Sequence, residues 1–315
     1  MLRGARLSWG AMRSPKVSVV VGVYNKERHV GECLRSVLAQ TRPDFELVVV
    51  DDASTDGSRG EIQMVRDDRI RFVQMPRNSG HPGVPRNRGI GLARGEYLAF
   101  LDADDVWMPE KLEKQVAYMD SHPEFAITHT RCMVMDGEGR DIYLRHGGNY
   151  PPPGDVFAEL MKHCFICTST VMLRKELTDQ IGVFSEEPCF KSGQDCEFFA
   201  RCARVSPVGM PDGVLAKYRN VPDTVSRRAA NWRSLPRDYV RHRIFWRRRA
   251  LWAGKMTEPD MRRIAYGAAE ENANHWRGAR EFRKAAWFAG QMICLAPGNT
   301  MGWRQLAAAG LRRGG

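Results

Sequence analysis

Two kinds of block follow one another along the first half of the chain: short runs apolar on both faces, and longer stretches apolar along one helical stripe. Val17-Ser18-Val19-Val20-Val21-Gly22-Val23 is a β-branched run ending in Tyr24-Asn25-Lys26-Glu27, which predicts a buried strand feeding a loop. Val30 to Gln40 carries Val30, Cys33, Leu34, Val37 and Leu38 at helical spacing. Phe45 to Val50 is a second strand, and it gives way to Asp51-Asp52-Ala53-Ser54-Thr55-Asp56-Gly57. Strand, helix and strand in that order form a right-handed parallel unit. Ile70 to Gln74 predicts a third strand, followed by the glycine-rich, basic Pro76-Arg77-Asn78-Ser79-Gly80 and Pro85-Arg86-Asn87-Arg88-Gly89, with a helix from Arg86 to Ala93. Tyr97 to Leu101, after Gly95, is almost wholly apolar and predicts a strand buried on both faces.

Beyond that strand the pattern loosens. Glu110 to Met119 is amphipathic, Phe125 to Met135 predicts one strand, and Thr168 to Arg174 another. Between them Gly137 to Gly154, with Gly147-Gly148 and Pro151-Pro152-Pro153, predicts a loop without regular pairing, either a surface excursion or a cover for a cleft. Ile181-Gly182-Val183-Phe184 reads as a turn with a packed anchor. A helix then begins at Gly193-Gln194-Asp195, with Cys196, Phe199 and Ala203 as its apolar positions. In the tail, Leu235 to Ala253 mixes Trp246 and Trp252 with six arginines, and the stretches 264–274 and 279–295 resemble one tetratricopeptide-like helical pair.

Charge divides the chain as the pattern does. From Arg227 to Gly315 there are 19 Lys and Arg against 6 Asp and Glu, a net +13, so the first 226 residues hold −2 of the total +11. Three parts are expected: a disordered tail over 1–15, a main globular domain over 16–226 and a basic α-helical extension over 227–315. The extension suits an anionic membrane surface, a nucleic acid, or solvated packing on the domain. No apolar run approaches the roughly 18 residues of a membrane span, and residues 1–14 lack a secretory core, which makes a cytoplasmic location the expectation, with peripheral attachment at the inner face. The 8 cysteines are scattered among apolar neighbours, and Cys164-x-x-Cys167 has no second half for a zinc site.

Chemistry concentrates at the ends of the predicted strands. Asp102-Ala103-Asp104-Asp105 closes the Tyr97 strand, where open α/β sheets bind ligands. Carboxylates this close repel one another unless a cation, proton or solvent intervenes, and Mg²⁺ or Mn²⁺ prefer such oxygens. A solvated capping turn is the plainer alternative. Arg86, opening its helix, is placed where backbone N–H groups and a guanidinium hold phosphate oxygens. Neither G-x-G-x-x-G after the first strand nor G-x-x-x-x-G-K is present, so a dinucleotide fold and a P-loop find no support.

Read together, Val23-Tyr24-Asn25 with Glu27, Asp51 to Asp56, Asn78-x-Gly80 with Arg86-Asn87-x-Gly89, and Asp102-Ala103-Asp104-Asp105 resemble the inverting family 2 glycosyltransferases of the GT-A fold. The likeness spans Lys16 to Arg204, with a weaker closing motif from Lys217-Tyr218-Arg219 to Ser226. It implies a mainly parallel α/β sheet flanked by helices. It further implies a UDP-linked donor lying against Val23, Tyr24 and Asn25, with Tyr24 and Glu27 at the base or ribose and Asp52 accepting the uracil imide N–H. Asn78 and Gly80 would border the nucleotide, with Arg86 near it. Asp102 and Ala103 would approach the ribose or metal-bound water, and Asp104 would hold Mg²⁺ or Mn²⁺ against the diphosphate. Asp195 matches the family's general base, while Gln194 stands where a Glu is usual and removes a carboxylate that could tune it. Without membrane spans or a Q-x-x-R-W motif, one sugar is expected to pass to a saccharide or lipid-linked acceptor. A nucleotidyltransferase would share the nucleotide pocket but has no need of Asp195, and a nucleic-acid-binding protein acting through the basic tail is the other rival.

Overall fold

The computed structural model describes residues 14–162, 164–187 and 193–221. Its centre is a seven-stranded sheet built on β1 (Val17–Val23), β2 (Phe45–Asp51), β3 (Ile70–Gln74) and β4 (Tyr97–Asp102). β1 lies between β2 and β4 and pairs with both in parallel, and β2 pairs in parallel with β3. All four strand expectations hold to within one residue. A period of two sorts these strands between two cores. Val17, Val19, Val21, Tyr97, Ala99 and Leu101 face one layer, with α1 (Val30–Leu38), Ile62 of α2 (Ser58–Met64) and α4 (Lys111–Ser121). Val20, Leu98 and Phe100 face the other, with α3 (Gly83–Leu92) and α7 (Gln194–Val205). Apolar burial on both sides explains why the runs carry so few polar positions.

One polar residue is admitted to this core because its bonds are complete. Ser18 donates to Glu46 Oε1 at 2.6 Å and accepts from the N–H groups of Arg94 and Gly95 at 3.1 and 2.8 Å. A Cβ on Gly95 would stand 2.5 Å from Ser18 N and 2.7 Å from Val17 C, so only glycine lets the turn before β4 lie against β1.

The second half departs from the pattern in several places. The single strand expected over Phe125–Met135 is two, β6 (Ile127–Thr128) and β7 (Arg131–Met135), which belong to different sheets. The chain changes sheet through His129 and Thr130, where His129 N–H donates to Gly209 O at 3.0 Å. β6 sits in the central sheet between β9 (Met172–Arg174), which runs antiparallel to β4, and β10 (Val208–Gly209). Of the strand expected over Thr168–Arg174, the first half is a 3₁₀ turn, Thr168–Thr170. β5 (Val106–Trp107), β11 (Val214–Arg219), β7 and β8 (Asp141–Leu144) make a separate four-stranded sheet in that order, with β11 and β7 parallel. β8 corrects the expectation that Gly137 to Gly154 cannot pair: it lies antiparallel to β7, and Gly154 bridges Val208. Ile142 and Tyr143 on β8 are exposed, so no apolar period announced the strand.

Helices α2, α5 (Phe157–Lys162) and α6 (Glu176–Ile181) are short and were not foreseen. On α7 the buried face is Phe198, Phe199, Ala200, Cys202 and Ala203, whereas Cys196 is half-exposed. Phe184, the expected anchor, is buried with its ring 4.2 Å from that of Phe198 and 5.2 Å from that of Phe100. Among the described residues no helix is long and apolar enough to cross a membrane. The expected N-terminal tail through Arg13 and the basic extension from Arg227 lie outside the described residues.

Candidate active site

The loops at the carboxyl ends of β1, β2, β3 and β4 converge on one rim. The first two are zipped together. Asn25, at a left-handed φ of 52°, donates from its backbone to Ser54 Oγ at 3.0 Å and accepts from Thr55 N–H at 2.9 Å. Glu27 accepts from Gly57 N–H at 2.7 Å and donates its own N–H to Asp56 at 3.1 Å. Asp56 in turn takes both the N–H and the hydroxyl of Ser58, and these bonds outweigh desolvation to hold its carboxyl below the usual range. The zipper leaves Tyr24 44 % exposed at the lip. Glu27 is therefore a brace of the loop whose second oxygen alone is left for a ligand.

Asp52 is buried beneath the third loop. Its oxygens accept from Ser79 N–H at 2.9 Å, Ser79 Oγ at 2.8 Å and Asn78 Nδ2 at 3.0 Å. Burial raises its pKa against the pull of those Ser79 bonds. Asn78 also donates to Asp52 O, and Gly80 turns the loop with φ 68°. Asp52 thus positions the Asn78–Gly80 loop as well as facing the rim. Arg86 is the fourth residue of α3, which starts at Gly83 rather than at Arg86. Its guanidinium lies 5.6 Å from the centroid of the Phe184 ring and is 9 % exposed.

Sequence placed three carboxylates at the end of β4, and the structure gives each a different partner. Asp102 pairs with Arg86 Nη2. Asp104, only 8 % exposed and so deeper than a cleft surface, pairs with Lys26 Nζ at 2.5 Å. Asp105 is fully buried, accepts from Ser169 Oγ at 2.5 Å and from Arg219 N–H at 2.8 Å, and has its pKa pushed well up by burial and by the neighbouring thiol and aspartates. Arg219, buried at the end of β11, also donates to Asp104 O at 2.8 Å and to Glu32 Oε2 at 2.6 Å. Repulsion within the cluster is therefore met by Lys26 and Arg86. Neither Lys26 nor Arg219 was given a role from sequence. Lys26 stands between two motif residues, and Arg219 within the closing motif, which was the only signal available.

Asp195 lies in the first turn of α7, after Gly193 at φ 89°, and its carboxylate meets Thr168 Oγ1 at 3.5 Å. Burial opposes the charge on Arg86, yet Asp102, Asp195 and Asp104 together outweigh it and raise its pKa. Thr168 adjoins Ser169, whose hydroxyl accepts from Asp102 N–H at 3.1 Å and donates to Asp105, which brings Asp195 to the same cleft as the β4 turn. Two of the three buried side-chain polar atoms without a partner among the described residues belong here, Arg86 Nη1 and Gln194 Oε1. Glu197, one turn on, is buried and doubly paired with Arg201 at 2.6 and 2.8 Å. No group of three or more His, Cys, Asp or Glu side chains forms a metal cage among the described residues.

Residues 18–182 match the family model described as glycosyl transferase family 2. Over 234 residues the chain is 32% identical to TuaG of Bacillus subtilis, a glycosyltransferase ascribed to teichuronic acid biosynthesis, covering 73% of this chain and 88% of that one. It is 35% identical over 210 residues to an uncharacterized glycosyltransferase of Rickettsia felis, where the match covers 66% of this chain but only 33% of the relative's length. Among solved structures, residues 1–349 of TarS from S. aureus superpose with a TM-score of 0.62 at 23% identity, over 90% of this chain and 81% of that one. A mannosyltransferase from Pyrobaculum calidifontis superposes with a TM-score of 0.57 at 17% identity, over 96% and 87%. The sheet order, the flanking helices and these matches make this chain a glycosyltransferase of family 2 with the GT-A fold.

Proposed function

We propose that the chain is a metal-dependent, inverting glycosyltransferase that moves one sugar from a UDP-sugar to a saccharide or lipid-linked acceptor. The observation that carries this reading is Arg86: a buried guanidinium that pairs with Asp102 through Nη2 and has Nη1 unpartnered among the described residues. A buried N–H group left without a partner costs free energy unless a ligand satisfies it, and the diphosphate of a nucleotide donor supplies the matching acceptor. TarS structures hold UDP or UDP-GlcNAc, and the Pyrobaculum structure holds GDP-Man and Mn²⁺, which supports a nucleotide-sugar donor here.

Magnesium-type ions are commonly bound by one or two carboxylates plus substrate phosphates rather than by a protein cage. Asp104 with Asp102 fits that mode. When bound, such an ion neutralises charge on the departing diphosphate. Arg86 then anchors phosphate oxygens, and the loops of Asn25 and Asp52 seat the nucleoside. Asp195 takes the proton of the acceptor hydroxyl from the face opposite the diphosphate, steadied by Thr168. The basic extension serves as a peripheral contact with anionic lipid on the cytoplasmic side, since each basic residue near such a surface adds about 1 kcal/mol. UDP affinity of wild type and Asp104→Ala, each with Mn²⁺ and with chelator, tests the metal assignment. Loss of the Mn²⁺ dependence in the variant is expected, and equal affinities under all conditions would overturn it.

A further inference from the structure

Asp102, Asp104 and Asp195 are accounted for by the donor and the base, but one cation at the edge of the same region is not. Arg145 follows β8 in the loop that the sequence marked for its glycines and prolines. The segment after it is wound tightly left-handed, with φ of 55° at His146, 59° at Gly147 and 79° at Gly148. Such a conformation at a non-glycine residue is held only where the surroundings enforce it. Here it sets the Arg145 guanidinium 5.1 Å from the centroid of the Tyr218 ring. Among the described residues its one hydrogen bond runs from Nε to His146 Nε2 at 3.2 Å. Burial opposes its charge, and the groups that most favour it are the thiols of Cys167 and Cys132 and the phenol of Tyr218, with no carboxylate ahead of them.

Three other arginines of this region have acidic partners: Arg86 has Asp102, Arg201 has Glu197, Arg219 has Glu32. Arg145 is half-buried and has none among the described residues. Its neighbours nevertheless tie it to the cleft. Tyr218, beneath its guanidinium, directly precedes Arg219, whose N–H donates to Asp105 and whose Nε donates to Asp104 O, both at 2.8 Å. A half-buried guanidinium stacked on an aromatic face, with neither Nη group hydrogen-bonded among the described residues, is arranged for a planar or tetrahedral oxyanion.

We propose that Arg145 is an anion-binding residue of the transfer cleft, taking a phosphate or carboxylate oxygen of a substrate; the proposal rests on the glycosyltransferase reading above. The anion comes either from the acceptor or from the donor diphosphate. Two variants of the full chain separate these sources: Arg145→Met, which keeps the apolar stem on Tyr218, and Arg145→Lys, which keeps the charge. In the first arm, UDP and uridine are titrated calorimetrically with Mn²⁺. In the second, inorganic phosphate is added to protein saturated with UDP and Mn²⁺, and its affinity is read from the rise in melting temperature.

An acceptor-side site predicts unchanged UDP affinity and at least tenfold weaker phosphate binding in Arg145→Met, partly restored in Arg145→Lys. A donor-side site predicts at least tenfold weaker UDP binding with uridine unaffected. Affinities for UDP and for phosphate that match wild type in Arg145→Met overturn the proposal. Should wild type bind no UDP, the donor reading fails by itself, and phosphate titrated into the nucleotide-free protein still judges Arg145 by the same criterion.

Discussion

The parallel half of the molecule, β1 to β4, and the half built from β5 to β11 across both sheets are held together by different forces. In the first, β1 and β2 are nearly uniform apolar runs, and their polar neighbours are confined to the loops, where bonds such as Asn25 to Thr55 and Asp52 to Ser79 close the rim. In the second, strands of two to six residues enclose polar side chains. Gln115 donates to Thr128 Oγ1 and to Thr170 O at 3.0 Å, and Trp107 Nε1 donates to Ser169 O at 2.7 Å. The halves meet at the β4 turn, where Ser169 and Arg219 from the second fix Asp105 and the backbone of Asp104 in the first. Apolar packing builds the floor of the cleft, and polar bonding from the other half aims its carboxylates.

The sharpest break of this division is at Asp195, the one reacting carboxylate assigned to the second half. Asp195→Asn should lower transfer by roughly 10²-fold or more, the usual size of a lost general base, and leave UDP affinity unchanged. Donor titration and single-turnover transfer on the same sample check it. Near-wild-type transfer would remove the second half from the chemistry, because Glu197 is already committed to Arg201.

The first half should break by packing instead. Gly95→Ala would press a Cβ against the backbone of Val17 and Ser18, which cannot move aside as a side chain could. A loss of ~3 kcal/mol in denaturant unfolding is expected, at the upper end for overpacking. A change under ~0.5 kcal/mol would mean that the turn before β4 yields freely, against the close contact read here.

The same division explains what could be read without coordinates. β1 through β4 were legible because burial on both faces leaves unbroken apolar runs, and the carboxylates fall where those runs stop. β6 and β7 were not separable, since His129 and Thr130 are buried polar residues that give no turn signal. β8 has an exposed apolar pair and no alternation. In the site, residue types located the rim, but partners did not follow from them: that Lys26 would meet Asp104 across 78 positions, or Arg219 would hold Asp104 O across 115, needs the fold.

Lys111 sharpens the comparison through pH. Its amine is fully buried at the start of α4, 4.2 Å from the centroid of the Trp107 ring and bonded to Gln115, and burial lowers its pKa from 10.5 to about 7. The unfolded chain then holds a proton between pH 7 and 10.5 that the folded chain has released, so this group makes stability rise with pH across that window. Below pH 7 both states are charged and the desolvation penalty is fully present. Lys111→Met should therefore stabilise the protein by ~2 kcal/mol at pH 6, once the cost of leaving Gln115 Oε1 unpaired is subtracted, and by little or nothing at pH 10. Unfolding curves at the two pH values check it, and a variant destabilised equally at both would show the amine to be held by its contacts more strongly than burial opposes it.

The smallest effect is expected where the loop after β1 meets the turn after β4, at Lys26. Its amine and a metal ion would compete for the same Asp104 oxygen, so removing the amine should help the metal even though it removes an ion pair. The pair is partly shielded, with side-chain exposures of 28% and 11%, which places its strength near ~1 kcal/mol rather than at the negligible end for surface pairs. Lys26→Met should then bind Mn²⁺ about fivefold more tightly in the absence of nucleotide, the factor that ~1 kcal/mol represents. Titration of free Mn²⁺ by its electron paramagnetic resonance signal measures this directly. The gain should shrink as salt weakens the pair it replaces, and it should vanish in the double variant Lys26→Met with Asp104→Ala, where no carboxylate remains to be released. Equal Mn²⁺ affinity in wild type and Lys26→Met at low salt would mean that Lys26 and the metal do not share Asp104, and that the carboxylate binding the ion must be sought at Asp102.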